Sequence, residues 1–179
     1  MVKANVSCIC PSRAESAAQN FRQGYNCAQS VCLAFLDVLK LDRETVLKLS
    51  SSFGGGMGRL REVCGAVSAM FIIAGILKGY KNPNDDTVKG AHYVLIQRLA
   101  EEFKKQHSSI ICRELLGIDG KTEGLPENVA ENVSENGCKI NGDDFSPKPS
   151  KRTEEYYAKR PCESFIRTAA EIVEKHLLQ

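Results

Sequence analysis

Cysteine is the residue type best suited to do chemistry in this sequence. The chain has 8 cysteines among 179 residues, with 3 histidines and no tryptophan. Some of these cysteines stand where helices are expected to begin, namely Cys27, Cys64, Cys112 and Cys162. At a helix N-terminus, unpaired N–H groups and the helix dipole favour a thiolate over a thiol. Thiolates bind metals and attack disulfides, so these residues are the candidate functional set.

The other cysteines have less informative settings. Cys32 lies on the apolar face of its predicted helix and is interpreted as a small hydrophobic residue of the core. Cys8 and Cys10 fall in an N-terminal segment that is expected to be flexible, and Cys138 falls in a predicted long loop. Each is either incidental or a resolving thiol on a mobile segment. No C-x-x-C pair is present, so the common zinc templates and covalent c-type haem are not expected.

The settings of the candidate cysteines resemble a known family. Residues 24–31 read GYNCAQSV, and residues 54–58 read GGGMG and lead to Cys64-Gly-Ala. Residues 112–117 read CRELLG, and Cys162 follows near the C-terminus. This order resembles the C_GCAxxG_C_C family, a group of redox-active proteins named for four cysteines, over about residues 20–165. The resemblance implies that Cys27, Cys64, Cys112 and Cys162 are the functional set.

The resemblance also suggests a cofactor, with two departures from the family pattern. A similar domain occurs in split-Soret cytochromes, which hold haem and an iron–sulfur centre. Because the haem motif is absent here, the resemblance carries over only the iron–sulfur cluster or another thiolate-bound metal. The closing glycine of the motif is Ala69 in this chain, and the loop before Cys162 is long.

Three hypotheses about function remain open at the level of sequence. In the first, the four cysteines bind an iron–sulfur cluster or a single metal, since four Cys is the usual ligand count. In the second, two of them form a thiol–disulfide pair for electron transfer or catalysis, with Cys64 and Cys27 as redox thiols and Cys64 as a low-pKa attacking thiol. In the third, a structural helical module simply buries its cysteines. Whether the protein is an enzyme stays open.

The glycine run before Cys64 has its own alternatives. A Gly-rich turn that leads into a helix can bind an anion on its N–H groups, with Arg59 or Arg61 adding charge. The run lacks the phosphate-loop pattern and no strand precedes it, so a tight turn with positive φ is favoured over a nucleotide site. Small residues there would let the backbone approach a cluster and donate hydrogen bonds to its sulfurs.

The hydrophobic periodicity predicts an all-α fold. About six helices are expected in a single domain over residues 1–179, with flexible residues 1–11 and a long loop or insert over 118–158. Helices are predicted from 13 to 23, after Asn26, after Asp42, up to Leu77, and from Pro161. A long helix after Asp85 and Asp86 has a predicted buried stripe of Val88, Ala91, Leu95, Leu99 and Phe103.

Charge and targeting signals narrow the class of protein. A formal net charge of +2 is too small for a nucleic-acid binder that relies on electrostatics. No signal peptide is evident, and the longest apolar stretch, residues 64–77, is shorter than a membrane span. A cytoplasmic protein with reduced thiols is therefore expected. It would have an unidentified redox partner, and a homodimer stays open because helical domains often pair.

Overall fold

The computed structural model describes residues 11–118 and 146–178, and in these ranges the chain is all-α, as predicted. In chain order the helices are α1 (Arg13–Arg22), α2 (Cys27–Leu33), α3 (Leu36–Leu39), α4 (Arg43–Ser51), α5 (Gly54–Met57), α6 (Gly65–Lys78), α7 (Asp86–His107), α8 (Cys112–Leu115), α9 (Glu154–Lys159) and α10 (Cys162–Leu177). The three longest helices are α6, α7 and α10, and the others have ten residues or fewer. No helix in these ranges is long and apolar enough to cross a membrane.

The first helices begin at the capping residues that the sequence predicts. The Ser12 side chain accepts a hydrogen bond from the Glu15 amide, and Asp42 accepts one from the amide of Thr45. The predicted helix after Asn26 is divided in two, because the backbone at Phe35 leaves helical geometry between α2 and α3. The count of about six helices therefore rises, chiefly through short segments of one or two turns.

Helix α6 forms the centre of the core, as its apolar sequence predicts. It packs against α2, α7 and α10, while α1 packs against both α2 and α10. Met70 and Ile73 of α6 are fully buried, and so is Ala69, the residue that replaces the closing glycine of the family motif. Cys32 of α2 is also buried in this core, which confirms that it is a packing residue.

The predicted buried stripe of α7 is only half correct. Leu99 and Phe103 are fully buried, but Val88 is 46% exposed and Ala91 also faces solvent. Helix α7 has 22 residues whereas α6 has 14 and α10 has 16, so its N-terminal half extends beyond the partners that bury its C-terminal half.

The predicted loop before the last helix contains a helix of its own. Helix α9 occupies part of the segment that was expected to lack structure, and its Tyr157 hydroxyl donates to the carbonyl of Phe21. The last helix begins at Cys162, with Pro161 as its N-cap residue rather than its first helical residue. Residues 119–145, most of the predicted loop, lie outside the described residues, as do residues 1–10. The single-domain organisation stays a prediction.

Two glycines of α6 give opposite predictions for stability. A Cβ at Gly65 would lie 2.7 Å from the Phe53 carbonyl oxygen and 3.1 Å from the Cys27 Cβ, whereas a Cβ at Gly75 would meet nothing within 4 Å. We expect Gly65→Ala to lower the free energy of unfolding by about 2 kcal/mol through overpacking. Gly75→Ala, the matched control, should raise it by about 0.5–1 kcal/mol because alanine loses less entropy in a helix. Urea unfolding followed by circular dichroism measures both, and equal effects would contradict the close packing at Gly65.

Candidate functional site

Cys27 is held at the start of α2 by a reciprocal cap. The Asn26 side chain accepts a hydrogen bond from the Gln29 amide at 2.9 Å, and the Gln29 side chain accepts one from the Asn26 amide at 3.2 Å. The Asn26 side-chain amide also donates to the Ser51 carbonyl at 3.0 Å, which ties this helix start to the end of α4. This capping box fixes Cys27 in the first helical turn.

Cys64 and Cys112 are brought together by backbone pairing. The Cys64 amide donates to the Ile110 carbonyl at 2.8 Å, and the Cys112 amide donates to the Glu62 carbonyl at 2.6 Å. An isolated antiparallel bridge between Val63 and Ile111 lies between these hydrogen bonds. The start of α6 therefore lies beside the start of α8, although 48 residues separate the two cysteines in the sequence.

The glycine run is a left-handed turn that lies against these cysteines, as the tight-turn interpretation predicts. Gly55, Gly56 and Gly58 have positive φ angles. A Cβ at Gly56 would lie 2.6 Å from the Cys112 Cβ, so only glycine permits this approach. The Gly55 amide is among the groups that lower the pKa of Cys27.

Residues within and after the glycine run also have a strained backbone. Met57, Arg59 and Arg61 have φ angles of 58°, 70° and 61°, which side-chain-bearing residues adopt rarely. Such strain persists only where the surrounding structure imposes it, and it is typical of functional sites. Here it directs the chain so that Arg59 and Arg61 line the same cavity, and Arg61 is only 2% exposed.

The four candidate cysteines line one cavity of about 220 Å³. Cys162 lines it from the first turn of α10, a helix that follows the glycine turn much later in the sequence. Cys32 does not line it, and Cys8, Cys10 and Cys138 lie outside the described residues. The sequence prediction therefore selected the cysteines that the fold brings to one place.

The walls of this cavity carry positive charge. The charged side chains that line it are all arginines, with no Asp or Glu among the described lining residues: Arg59, Arg61, Arg152 and Arg160. The last two come from the segment around α9, which also contributes Tyr156. Burial is the main cause that raises the pKa of Tyr156 to about 12, so its phenol is neutral.

Arg152, Tyr156 and Arg160 were not among the residues predicted from the sequence. Only Tyr156 lies within α9, whereas Arg152 precedes the helix and Arg160 follows it in an extended conformation, so no helical spacing could reveal the three together. The Pro, Gly and Asn content of the segment predicts a loop. Arg59 and Arg61 were identified as possible charges near the glycine run.

The sulfurs differ in their tendency to ionise. A hydrogen bond from Cys162 is the main cause that lowers the pKa of Cys27 to about 7, and the charge of Arg152 contributes. The same hydrogen bond, together with burial, raises the pKa of Cys162 well above its ordinary value. Cys27 is half-buried whereas Cys162 is 8% exposed. Cys27 is thus the more accessible and more acidic member of the pair.

Cys64 and Cys112 are not low-pKa thiols, which corrects the expectation that Cys64 is the attacking thiol. Burial and the neighbouring Cys27 raise the pKa of Cys64 well above its ordinary value. Burial is also the main cause that raises the pKa of Cys112 to about 11, although Arg61 donates a hydrogen bond to its sulfur. Loss of hydration therefore outweighs the helix N-terminus on which the sequence prediction was based.

Metal ligation has no preformed geometry in the part of the chain that the structure describes. No three or more His, Cys, Asp or Glu side chains there are grouped closely enough to hold a single metal ion. The five cysteines in these ranges are free thiols. The sulfurs surround the cavity rather than one point, apart from the hydrogen-bonded pair of Cys27 and Cys162.

Comparison with known proteins gives one family match. In the described residues, the protein is a helical domain with four cysteines around one cavity. A family model described as "Putative redox-active protein (C_GCAxxG_C_C)" matches residues 25–176, so the chain belongs to the C_GCAxxG_C_C family. The family description indicates a redox-active protein as its general function. No curated protein and no solved structure matches the chain.

The unequal pKa values predict selective labelling of Cys27. At about pH 7, iodoacetamide should modify Cys27 first among the cysteines of the described ranges, because the thiolate is the reactive species. Its rate should rise roughly tenfold from about pH 6 to pH 8 and then level off, as a group of pKa about 7 requires. Peptide mass spectrometry reads each cysteine separately. A Cys27 rate that still rises steeply above pH 9, or faster labelling of Cys64, would contradict the assignment.

Proposed function

We propose that the protein is a thiol–disulfide redox protein in which Cys27 and Cys162 alternate between two thiols and a disulfide. The observation that carries this proposal is that both sulfurs line one cavity, where Cys162 is the main cause that lowers the pKa of Cys27. Membership in a family of redox-active proteins supports the reaction type. The pKa of about 7 supports Cys27 as the attacking thiol, since a large fraction is thiolate near neutral pH.

The reaction can be written with a disulfide as the oxidised substrate. The Cys27 thiolate attacks one substrate sulfur, forms a mixed disulfide and expels the other sulfur as a thiolate. Cys162 then loses its proton and attacks the sulfur of Cys27, and the second half of the substrate leaves and takes that proton. The protein pair loses two electrons and the substrate gains two. A reduced thiol partner would reverse both steps.

The surroundings favour this division of roles. Arg152 and the Gly55 amide stabilise negative charge on Cys27, so the attacking sulfur is anionic before the substrate arrives. Cys162 keeps its proton until the first step has removed the charge from its neighbour. It also lies at the start of α10, where Phe165 and Ile166 are buried and hold the helix in position.

The disulfide proposal predicts where oxidation forms a bond. In glutathione redox buffers of increasing potential, peptide mapping should find a Cys27–Cys162 disulfide. Cys162→Ser should instead trap glutathione on Cys27, because the proposed resolving thiol is absent and the buried thiols of Cys64 and Cys112 have raised pKa values. Cys32→Ala is the matched control and should oxidise like the wild type, since Cys32 lies in the core away from the cavity. Failure to recover that disulfide at any potential would overturn the proposal.

A second candidate function is the binding of an iron–sulfur cluster by all four cysteines. The observation that favours it is the presence of four sulfurs around one cavity of about 220 Å³, rather than the two that a disulfide needs. Sulfurs that surround a space suit a polynuclear group better than a single ion, for which no ligand group is preformed in the described ranges. Cys27, Cys64, Cys112 and Cys162 would be the ligands.

The residues of the cavity fit such a group by their chemistry. Four thiolates are the usual ligand set, and the bound cluster supplies one-electron transfer. Arginine side chains would offset the negative charge of the thiolates. Gly56 lets the backbone approach Cys112 more closely than any residue with a side chain could.

Spectroscopy and mutation separate the two candidate functions. Protein purified without oxygen should show visible absorption with stoichiometric iron and sulfide if a cluster is bound. The double variant Cys64→Ser/Cys112→Ser should lose that absorption but still form the Cys27–Cys162 disulfide. A colourless, iron-free protein, even after reconstitution with iron and sulfide, would exclude the cluster and leave the thiol–disulfide function.

A further inference from the structure

We propose that the cavity binds a small ligand that carries an oxyanion group, a carboxylate or a phosphate, on the guanidinium of Arg152. That this ligand is the redox substrate rests on the function proposed above. The binding site itself rests on the charges, contacts and burial of the cavity walls.

The charge balance of the cavity favours an anionic ligand. Four arginines line it and no carboxylate does so among the described residues. The only group there with a lowered acid pKa is Cys27, whereas Cys64, Cys112 and Tyr156 have raised values and stay neutral near pH 7. The positive charge of the walls thus exceeds the negative charge that the cavity's own side chains supply. Guanidinium groups pair well with carboxylates and phosphates because their planar fork donates two parallel hydrogen bonds.

Arg59 and Arg61 have structural contacts within the protein. The Arg59 side chain donates to the Ser146 carbonyl and to the Ser150 hydroxyl, the latter at 3.1 Å, so it fastens the returning chain over the cavity. The Arg61 side chain donates to the sulfur of Cys112. The Arg160 guanidinium carbon lies 5.2 Å from the ring centroid of Tyr156. Arg152 is distinguished from the other three because its charge lowers the pKa of Cys27.

Arg152 is held rigidly by its neighbours. Its guanidinium carbon lies 4.6 Å from the ring centroid of Phe21 and 4.8 Å from that of Tyr156. One terminal nitrogen, Nη2, donates to the carbonyl of Tyr25 at 3.4 Å. Aromatic faces position a guanidinium but accept none of its in-plane hydrogen bonds. The side chain is therefore fixed with donor capacity to spare.

The other terminal nitrogen of Arg152, Nη1, supplies that donor. It is buried and has no hydrogen-bond partner among the described residues. An unsatisfied buried donor is costly, more so when it carries charge, and such groups are typical of ligand sites. Arg152 lines the cavity and its charge lowers the pKa of Cys27, so a ligand bound to it would lie in the cavity with the attacking sulfur.

Calorimetry with two anions tests the site. Metal-free reduced protein is titrated with inorganic phosphate and with succinate, at constant ionic strength in chloride. We expect saturable binding of at least one, weakened roughly tenfold by Arg152→Gln, because a charge-assisted hydrogen bond is lost. Phosphate binding alone would assign a phosphate-bearing ligand, and succinate binding alone a carboxylate-bearing one. Absence of saturable binding by both anions would overturn the proposal.

Matched variants distinguish a specific loss of anion binding from general effects of net charge or of misfolding. Arg98→Gln removes the same charge from an exposed position on α7 and should leave the affinity within twofold of the wild type. Arg152→Lys keeps the charge and most of the packing but loses the planar fork, so it should bind several-fold more weakly than the wild type. Circular dichroism confirms that each variant is folded. If Arg98→Gln and Arg152→Gln weaken the anion affinity equally, the assignment of the binding site to Arg152 is overturned.

Labelling of Cys27 links the anion site to the redox pair. A bound anion should slow alkylation of Cys27 at fixed pH in the wild type but not in Arg152→Gln, because the ligand occupies the cavity that the reagent must enter. If the anion binds but does not slow alkylation of Cys27, the proposed position of the anion beside the Cys27 sulfur is overturned. These results are independent of the Cys27–Cys162 disulfide, so failure of the anion site leaves the redox test intact, and the reverse also holds.

Discussion

The convergence of four separate chain segments on one cavity is the constraint on which the rest of this structure depends. Each segment places its cysteine at or next to the first turn of a helix, and glycines allow the segments to touch. At Gly56 a Cβ would lie 2.6 Å from the Cys112 Cβ, and at Gly65 it would crowd Cys27 and the Phe53 carbonyl. The left-handed turn and the strained Met57, Arg59 and Arg61 follow from the need to pass so close to the sulfurs.

Burial and hydrogen bonding divide these similar sulfurs into unlike groups. Helix starts favour thiolates in general, but removal from water favours thiols, and here burial prevails at Cys64 and Cys112. Cys27 is the exception because a second cysteine donates to it and an arginine lies nearby. The same cavity therefore combines one acidic thiol, Cys27, with three thiols whose pKa values are raised.

The helices were largely predictable because local signals determine them. Asn26 and Asp42 cap the helices that follow them, and the apolar run of α6 is the buried centre of the core. Errors arose where tertiary packing decides. Periodicity predicts which side of α7 is apolar, but it does not reveal that the helix outruns its neighbours and leaves Val88 exposed. Helix α9 was hidden because its six residues are too few for a clear pattern.

The sequence alone predicted which cysteines line one cavity, since Cys27, Cys64, Cys112 and Cys162 each stand at a recognisable helix start. It also determined that Cys32 belongs to the core, through its place in an apolar stripe. Only the tertiary structure decided that Cys27 rather than Cys64 is the acidic thiol. Ionisation depends on burial and on neighbours that are distant in the chain, such as Cys162 and Arg152. Tertiary structure also decides which arginines line the cavity, because these residues come from two segments about 90 positions apart in the sequence.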